Sequence, residues 1–248
     1  MNIQFDTLEN ESLSRLAAVF NAAFAQYFVP ISMTEELLAA KFRADNALLS
    51  LSVGAYHNNE LVGFIFHGYG EKNNEKQVYN CGTGVLPGYR GHQLAEKMYA
   101  FILPLLQQQQ IQHSVLEVIT ENERAIKVYE RRGFKKLRKV NCYRGQVQLT
   151  SPTGNWLIKE ATTADPAWLN SMIDHEPTWQ NSFATLERLQ GQLVYLVATE
   201  GNEHTGCIAM NPSTGKLFFL GVNVAMRRRG LGSALLLAAA ARNNNIVM

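Results

Sequence analysis

Val85-Leu86-Pro87-Gly88-Tyr89-Arg90-Gly91-His92-Gln93-Leu94-Ala95 returns, 137 positions later, as Val222-Asn223-Val224-Ala225-Met226-Arg227-Arg228-Arg229-Gly230-Leu231-Gly232. Each stretch leaves an apolar run that reads as a strand, crosses a loop, and opens a helix on Arg-x-x-(Gly/Gln)-x-(Gly/Ala). A strand that delivers the chain to a helix start built from small residues gathers free amides and the positive end of the helix dipole at one place. That arrangement suits an anion such as a diphosphate. Upstream, Gly63 and Gly206, like Ala55 and Ala198, stand 143 apart, so one indel in the connecting loop reconciles the two registers. The expected fold is α+β, one unit in two tandem copies over 1–150 and 155–248, the second incomplete because Met248 falls where its next strand would begin.

The flanking sequence supplies the rest of each unit. Leu13, Leu16, Ala17, Phe20 and Phe24 recur at three-and-four spacing, one face of an amphipathic helix. Ser32-Met33-Thr34-Glu35 reads as a capping box that opens a second helix. Leu51 to Tyr56 and Leu61 to Phe66 form an expected antiparallel hairpin around His57-Asn58-Asn59, and another strand runs from about Val78 to Val85. The helix after His92 carries Leu94, Met98, Phe101, Ile102 and Leu105 on one face, with Pro104 expected to kink it and Gln107 to Gln110 as its solvated end. Val115 to Ile119 reads as a strand, and Asn122 to Arg132 as a helix closed by Gly133. Late strands are expected at Val140 to Tyr143 and Gln146 to Leu149, and Ser151 to Asn155 reads as the linker. Asp165-Pro166 then caps a helix bearing Trp168, Leu169, Met172 and Ile173, with strands at Leu193 to Thr199, Gly206 to Met210 and Leu217 to Val224.

A hydrophobic fraction of 46% and a charged fraction of 18% describe a packed chain, and 248 residues suffice for one large domain or two modest ones. The net charge of +2 gives no reason to expect a nucleic-acid partner. Cys81, Cys142 and Cys207 fall in no CxxC or Cys/His spacing, so they read as reduced thiols and no metal is expected. The start Met1 to Asp6 lacks a signal-peptide pattern, and the apolar run Leu235 to Ala241 is far shorter than the ~20 residues that span a bilayer. No membrane partner and a cytoplasmic location are the expectation.

In the first copy the loop is followed by Leu116-Glu117-Val118-Ile119-Thr120-Glu121-Asn122-Glu123-Arg124-Ala125-Ile126-Lys127-Val128-Tyr129-Glu130-Arg131-Arg132-Gly133-Phe134. The two blocks together resemble the GNAT superfamily of acetyl-CoA-dependent N-acetyltransferases. The Leu-Glu-Val, Asn-x-x-Ala and Tyr-Glu-x-x-Gly-Phe spacing looks especially like the enzymes that acetylate N-terminal amines of ribosomal proteins. The resemblance covers most of residues 1–149 and, less completely, 155–248. It implies two GNAT-like acyl-CoA N-acyltransferase domains and a splayed pair of central strands that holds the pantetheine arm of acetyl-CoA near Val85 and Leu86. The diphosphate would lie on the amides of Arg90, Gly91, His92, Gln93, Leu94 and Ala95, and Asn122 would bond the cofactor arm. Where the family prefers glycine, the first copy has Gln93, which is expected to sit inside the helix, while the second copy has Gly230.

Direct transfer from a thioester needs a neutral amine, a polarised carbonyl and a proton for the departing thiolate. A backbone amide near Val85 or Leu86 is the candidate oxyanion donor. Tyr129, with an ordinary phenol pKa of ~10, is the candidate general acid. Glu117, expected on a strand with Val115 and Ile119 beside it, is the candidate general base. Tyr143 borders the acceptor cleft in the family, and Cys81 reads as a buried structural thiol. The acceptor implied is the primary amine of a small molecule or peptide. The alternative is a non-catalytic acyl-CoA-binding or sensing module, motivated by Gln93 and the incomplete second copy.

Overall fold

A computed structural model describes residues 1–27, 31–148 and 156–248. They form two compact units, Met1–Leu137 and Arg138–Met248.

The first unit runs β1 (Gln4–Thr7), α1 (Leu13–Phe24), α2 (Glu35–Asp45), β2 (Val53–His57), β3 (Glu60–Lys72), β4 (Glu75–Val85), α3 (Leu94–Gln108), β5 (His113–Leu116) and α4 (Glu123–Arg131). Its five strands lie side by side in chain order, antiparallel except for the parallel pair β4 and β5. α1 starts on Ser12, whose hydroxyl accepts from the Arg15 amide. α2 starts on Thr34 rather than on the expected box at Ser32: the Asn21 carboxamide holds both the amide and the carbonyl of Met33 at 2.8 Å, which keeps Ser32 and Met33 outside the helix.

Asn58 and Asn59, at φ of 51° and 65°, make the tight turn between β2 and β3. Asn73 and Asn74 repeat the device at φ of 53° and 64°, so β3 and β4 pair as far as Lys72 and Glu75. The sequence reading ended β3 at Phe66 because polar residues interrupt the apolar run there.

Helices cover both faces of this sheet. On one, Val53, Ala55, Val62, Ile65 and Val78 meet Leu94, Met98, Tyr99 and Ile102 of α3. On the other, Phe20 and Phe24 of α1 and Phe42 of α2 close over Phe64 and Phe66, whose rings stack with centroids 4.3 Å apart. Phe64 and Phe66 are fully buried, and each such side chain contributes ~1.5–3 kcal/mol. α3 continues through Pro104 to Gln108.

The second unit contains β6 (Arg144–Gln146), β7 (Leu157–Ala161), α5 (Pro166–Asn170), α6 (Phe183–Arg188), β8 (Val194–Glu200), β9 (Glu203–Met210), β10 (Leu217–Val222), α7 (Leu231–Ala240) and β11 (Asn245–Val247). β7 to β10 form an antiparallel sheet in chain order, with Leu231, Leu235 and Ala239 of α7 packed on Leu196, Ala198, Ile208 and Met210. Asp165 caps α5 as expected, its carboxylate accepting from the Ala167 amide. β11 is the strand expected only beyond Met248, and it bridges in parallel from Val247 to Lys216.

Two sequence expectations change here. The stretch Val140 to Tyr143 is not a strand: only Tyr143 exchanges backbone hydrogen bonds, with Met248, and β6 starts at Arg144 and pairs with β11 within the second unit. The compact units part between Leu137 and Arg138, ahead of the expected linker at 151–155, which lies outside the described residues together with Leu149.

His67, on β3, is fully buried. Its Nδ1 lies 2.7 Å from the Leu51 carbonyl, which can only accept, so Nδ1 carries the hydrogen and the ring is neutral. Nε2 finds no hydrogen-bond partner among the described residues. Desolvation pushes the ring's pKa down to about 4, outweighing the Leu51 bond. The unfolded chain, with an ordinary histidine near 6.5, binds that proton first, so this contribution to stability is complete above pH 6.5 and declines as pH falls toward 4. Urea denaturation of the native chain should therefore show roughly 2 kcal/mol less stability at pH 5 than at pH 7 from this group. The His67→Gln variant, compared over the same range, should lack that increment.

Candidate active site

β4 and β5 pair only where Gln77, Val78, Tyr79 and Asn80 face His113, Ser114, Val115 and Leu116. β4 then continues on β3 to Val85, while the other chain leaves the sheet after Leu116. The parting coincides with a β-bulge: Asn80 faces His67 and Gly82 faces Phe66, so Cys81 is the extra residue. A bulge bends its strand and sharpens its twist. Asn80 fixes it, its Oδ1 accepting from the Gly82 amide at 3.0 Å.

The edge of β4 left bare by β5 faces a cleft of about 200 Å³, lined by Tyr27, Asn80, Cys81, Thr83, Glu117, Asn122 and Tyr129 among others. A second hollow, about 330 Å³, lies at Met1, Ile3, Phe5, His92, Leu94 and Lys97. No residue of β4, β5 or α4 lines it, whereas Glu117, Asn122 and Tyr129 all line the first.

Backbone direction along β4 separates the two oxyanion candidates. The Leu86 amide donates to the Val62 carbonyl on β3 at 2.9 Å and is spent. In an antiparallel pair, neighbouring residues point their polar groups to opposite sides, so the Val85 amide and carbonyl point away from β3.

Past Val85, a single 3-10 turn at Pro87–Tyr89 carries the chain to α3. Arg90 turns inward, donating from Nε to the Val85 carbonyl and from Nη2 to the Ala23 carbonyl at 2.8 Å, and so braces the loop with its guanidinium. The first helical bond runs from the Lys97 amide to the Gln93 carbonyl, which leaves Leu94, Ala95 and Glu96 as the free first-turn donors. Gly91, at φ of 83°, and Gln93, at 57°, both hold left-handed backbone. Gln93 is thus the residue that caps α3 and not a helical one, a correction to the sequence reading. The reversal of direction between the 3-10 turn and α3 requires that conformation, and glycine meets it without the cost of a Cβ.

The second unit repeats this construction. The Asn223 amide donates to the Thr205 carbonyl at 2.9 Å, and Arg227 donates to the carbonyls of Val222 and Met172. Arg228 and Gly230 take left-handed backbone at φ of 62° and 88°, so each loop has one glycine and one side chain at its two strained positions. Gly84 and Gly221 also match. A Cβ on either would come within 2.6 Å of a phenylalanine ring, Phe64 or Phe219.

Asn122 caps α4, its Oδ1 accepting from the Ala125 amide at 3.2 Å while Nδ2 points to the Tyr27 hydroxyl at 3.4 Å. Tyr129 sits about two helical turns further along, edge-on to Tyr99 and Phe134 with centroids 6.2 and 5.7 Å away. Burial raises its phenol above the ordinary value, partly countered by the nearby Thr83 hydroxyl, with the Tyr27 phenol adding to the rise. The proton therefore stays on the oxygen at neutral pH. Glu117 lies one residue beyond β5 and is exposed, not flanked by strand neighbours as the sequence reading has it.

Cys81 is buried, and burial pushes its thiol up to about 12, as fits a structural thiol. Tyr143 is exposed and exchanges backbone hydrogen bonds with Met248 inside the second unit. Three residues escaped the sequence reading. Asn80 and Thr83 were hidden in an ordinary-looking strand, and Lys41 on α2 pairs with the buried Asp45 at 2.6 Å. Burial would lower the Lys41 ammonium, but Asp45, with Cys81 and Glu117, holds it above its usual value.

Residues 16–134 match the model of the acetyltransferase (GNAT) family. No curated protein sequence matches the chain. In fold the chain is similar to a GCN5-related N-acetyltransferase from Sphaerobacter thermophilus, 14% identical over 99% of this chain and 85% of that one, with a TM-score of 0.70. It is also similar to the GCN5-related glucosamine N-acetyltransferase region of a fungal multi-domain GH3 beta-N-acetylglucosaminidase, 13% identical over 100% of this chain and 35% of that longer one, with a TM-score of 0.72. At such identities the likeness is one of fold. The matched segment contains every residue that lines the cleft, and the match supports an acetyl-CoA-dependent acyltransferase there. Among the described residues no cluster of metal-ligating side chains occurs, and no helix is long and apolar enough to cross a membrane.

Replacing Gln93 by glycine should lower the KM for acetyl-CoA and preserve the fold, because it removes a left-handed cost of ~1 kcal/mol and a side chain beside the free amides. Steady-state kinetics decides the matter, and a raised KM would instead make the Gln93 carboxamide a ligand.

Proposed function

We propose that the first unit transfers the acetyl group of acetyl-CoA directly to a primary amine of a small molecule or peptide, with Tyr129 as general acid and Glu117 as general base. The observation that carries this reading is the placement of a half-buried, protonated phenol in the cleft opened where β4 and β5 part. The cofactor arm would run along the bare edge of β4, with Asn122 Nδ2 as a donor to it. The diphosphate would rest on the loop of Arg90, Gly91, His92 and Gln93 and on the free amides of Leu94 and Ala95.

Chemistry follows from these positions. The amine nitrogen attacks the thioester carbon, and the carbonyl oxygen gains charge within reach of the Val85 amide. The carbon–sulfur bond breaks, the sulfur takes the Tyr129 proton, and Glu117 receives the proton lost by the amine, directly or through water. Glu117, being exposed, suits exchange of that proton with solvent.

We further infer that Arg138–Met248 is a second, tandem copy of the fold. The matched bracing of Arg90 and Arg227, the paired left-handed positions and the crowded glycines Gly84 and Gly221 support it. Catalysis is assigned to the first copy because Asn122 and Tyr129 belong to it.

Thiol release from acetyl-CoA, screened across an amine library, tests the assignment. Tyr129→Phe should lower kcat by ~10²-fold or more. Asn122→Ala should raise the KM for acetyl-CoA, and Glu117→Gln should remove the acid limb of the pH–rate profile. Unchanged turnover in both Tyr129→Phe and Glu117→Gln would sink the proposed roles.

A further inference from the structure

Tyr27 and Asn122 are 95 residues apart in the chain and both line the cleft, where Asn122 Nδ2 lies 3.4 Å from the Tyr27 hydroxyl. The direction of this hydrogen bond is fixed by the other end of the carboxamide. The Ala125 amide can only donate, so the atom it reaches at 3.2 Å is the Asn122 oxygen. Nδ2 is therefore the nitrogen, which can only donate, and the phenol oxygen of Tyr27 accepts.

Each partner is held by a different part of the unit. Tyr27 follows α1, its amide donating to the Phe24 carbonyl at 3.0 Å and its ring standing edge-on to that of Phe24, with centroids 4.9 Å apart. Phe24 in turn packs on Phe20 and Phe64, in the phenylalanine layer over β3. Asn122 is the cap of α4, the helix that also carries Tyr129. The bond thus ties the start of α4 to a ring anchored on the sheet.

A cap bond alone does not orient a carboxamide. The terminal torsion of asparagine turns over a broad range, so one contact at Oδ1 leaves the plane of the group loosely set. A second contact, at Nδ2, sets it. One Nδ2 hydrogen goes to Tyr27, and the other, which meets no acceptor among the described residues, is left with a single direction in the rigid plane.

We propose that Tyr27 is a positioning residue for the cofactor: by accepting from Asn122 it turns the remaining Nδ2 hydrogen toward the arm of acetyl-CoA. The proposal rests on the reading of Asn122 as the donor to that arm. A donor already oriented forms its bond without first losing rotational freedom, so Tyr27 acts on binding and not on the transfer step.

Tyr27→Phe and Asn122→Ser, made singly and together in the full chain, test it. Phenylalanine keeps the ring against Phe24 and loses only the hydroxyl, while serine keeps an acceptor that caps α4 and loses the Nδ2 donor. The readouts are calorimetric titration with CoA and steady-state kinetics with acetyl-CoA and an amine that turns over in the library screen. Tyr27→Phe should raise the Kd for CoA and the KM for acetyl-CoA about threefold to tenfold, the range of one hydrogen bond, with kcat within about twofold of native. In the Asn122→Ser background the same change should move the Kd by less than about 1.5-fold, because no carboxamide is left to orient. A loss of equal size in both backgrounds would place the action of Tyr27 elsewhere and overturn the proposal, as would a Kd in Tyr27→Phe no weaker than native. If Asn122→Ser weakens CoA while Tyr27→Phe does not, the positioning role is wrong and the reading of Asn122 stands. If Asn122→Ser binds CoA as the native chain does, the reading of Asn122 fails first and the positioning role with it.

Discussion

The active cleft depends on one local constraint, the bulge at Cys81. Two parallel strands cannot part in the middle of a sheet without leaving backbone groups bare, and bare groups are tolerated only where something else can meet them. Asn80 meets part of that need from within, accepting from the Gly82 amide, and the bend that results carries β4 away from the line of β5. The residues that line the cleft lie on the opened side. Val85 turns its polar groups away from β3, Asn80 and Thr83 line the wall, and Asn122 and Tyr129 come from the cap and body of α4.

A rigid frame holds that opening. β3 is paired on both sides through its central residues, with a layer of phenylalanines on one face and the aliphatic surface of α3 on the other. Gly84 shows how little slack there is, since even a Cβ would strike the Phe64 ring and the Ala23 methyl. Arg90 serves the same frame. Its guanidinium ties the loop to α1 and to the end of β4, and the first-turn amides of α3 are left free. Fixed amides in a braced loop need no reorganisation when charge arrives, which is the physical advantage of building the site from backbone.

Much of this was legible in the chain. Alternation and turn residues located β2, β3 and β4, three-and-four spacing located α1 and α3, and the spacing from Asn122 to Tyr129 placed both on α4. What escaped was of two kinds. The bulge leaves no mark, because Tyr79-Asn80-Cys81-Gly82-Thr83 reads as any strand would, and so Asn80 and Thr83 were passed over. Glu117 was read as part of β5 because Val118 and Ile119 prolong the apolar run, although the strand has already left the sheet. At Gln93 the error was one of backbone: a glutamine in a helical pattern gives no hint that its φ is positive.

By itself the sequence determined where α1, α3 and the hairpin of β2 and β3 lie, that the strand–loop–helix pattern with its arginine occurs twice, and that Asn122 and Tyr129 come at the start and body of one helix. These are properties of neighbours along the chain, set by side-chain periodicity and by the backbone preferences of glycine, asparagine and proline. Only the tertiary structure decided that Leu86 spends its amide on β3 while Val85 keeps its own, that Arg90 braces the loop, and that an asparagine on β4 meets a tyrosine of α3. Those outcomes depend on strand register and on contacts between residues far apart in the chain, and register is fixed only when the whole sheet and its two covering layers close together.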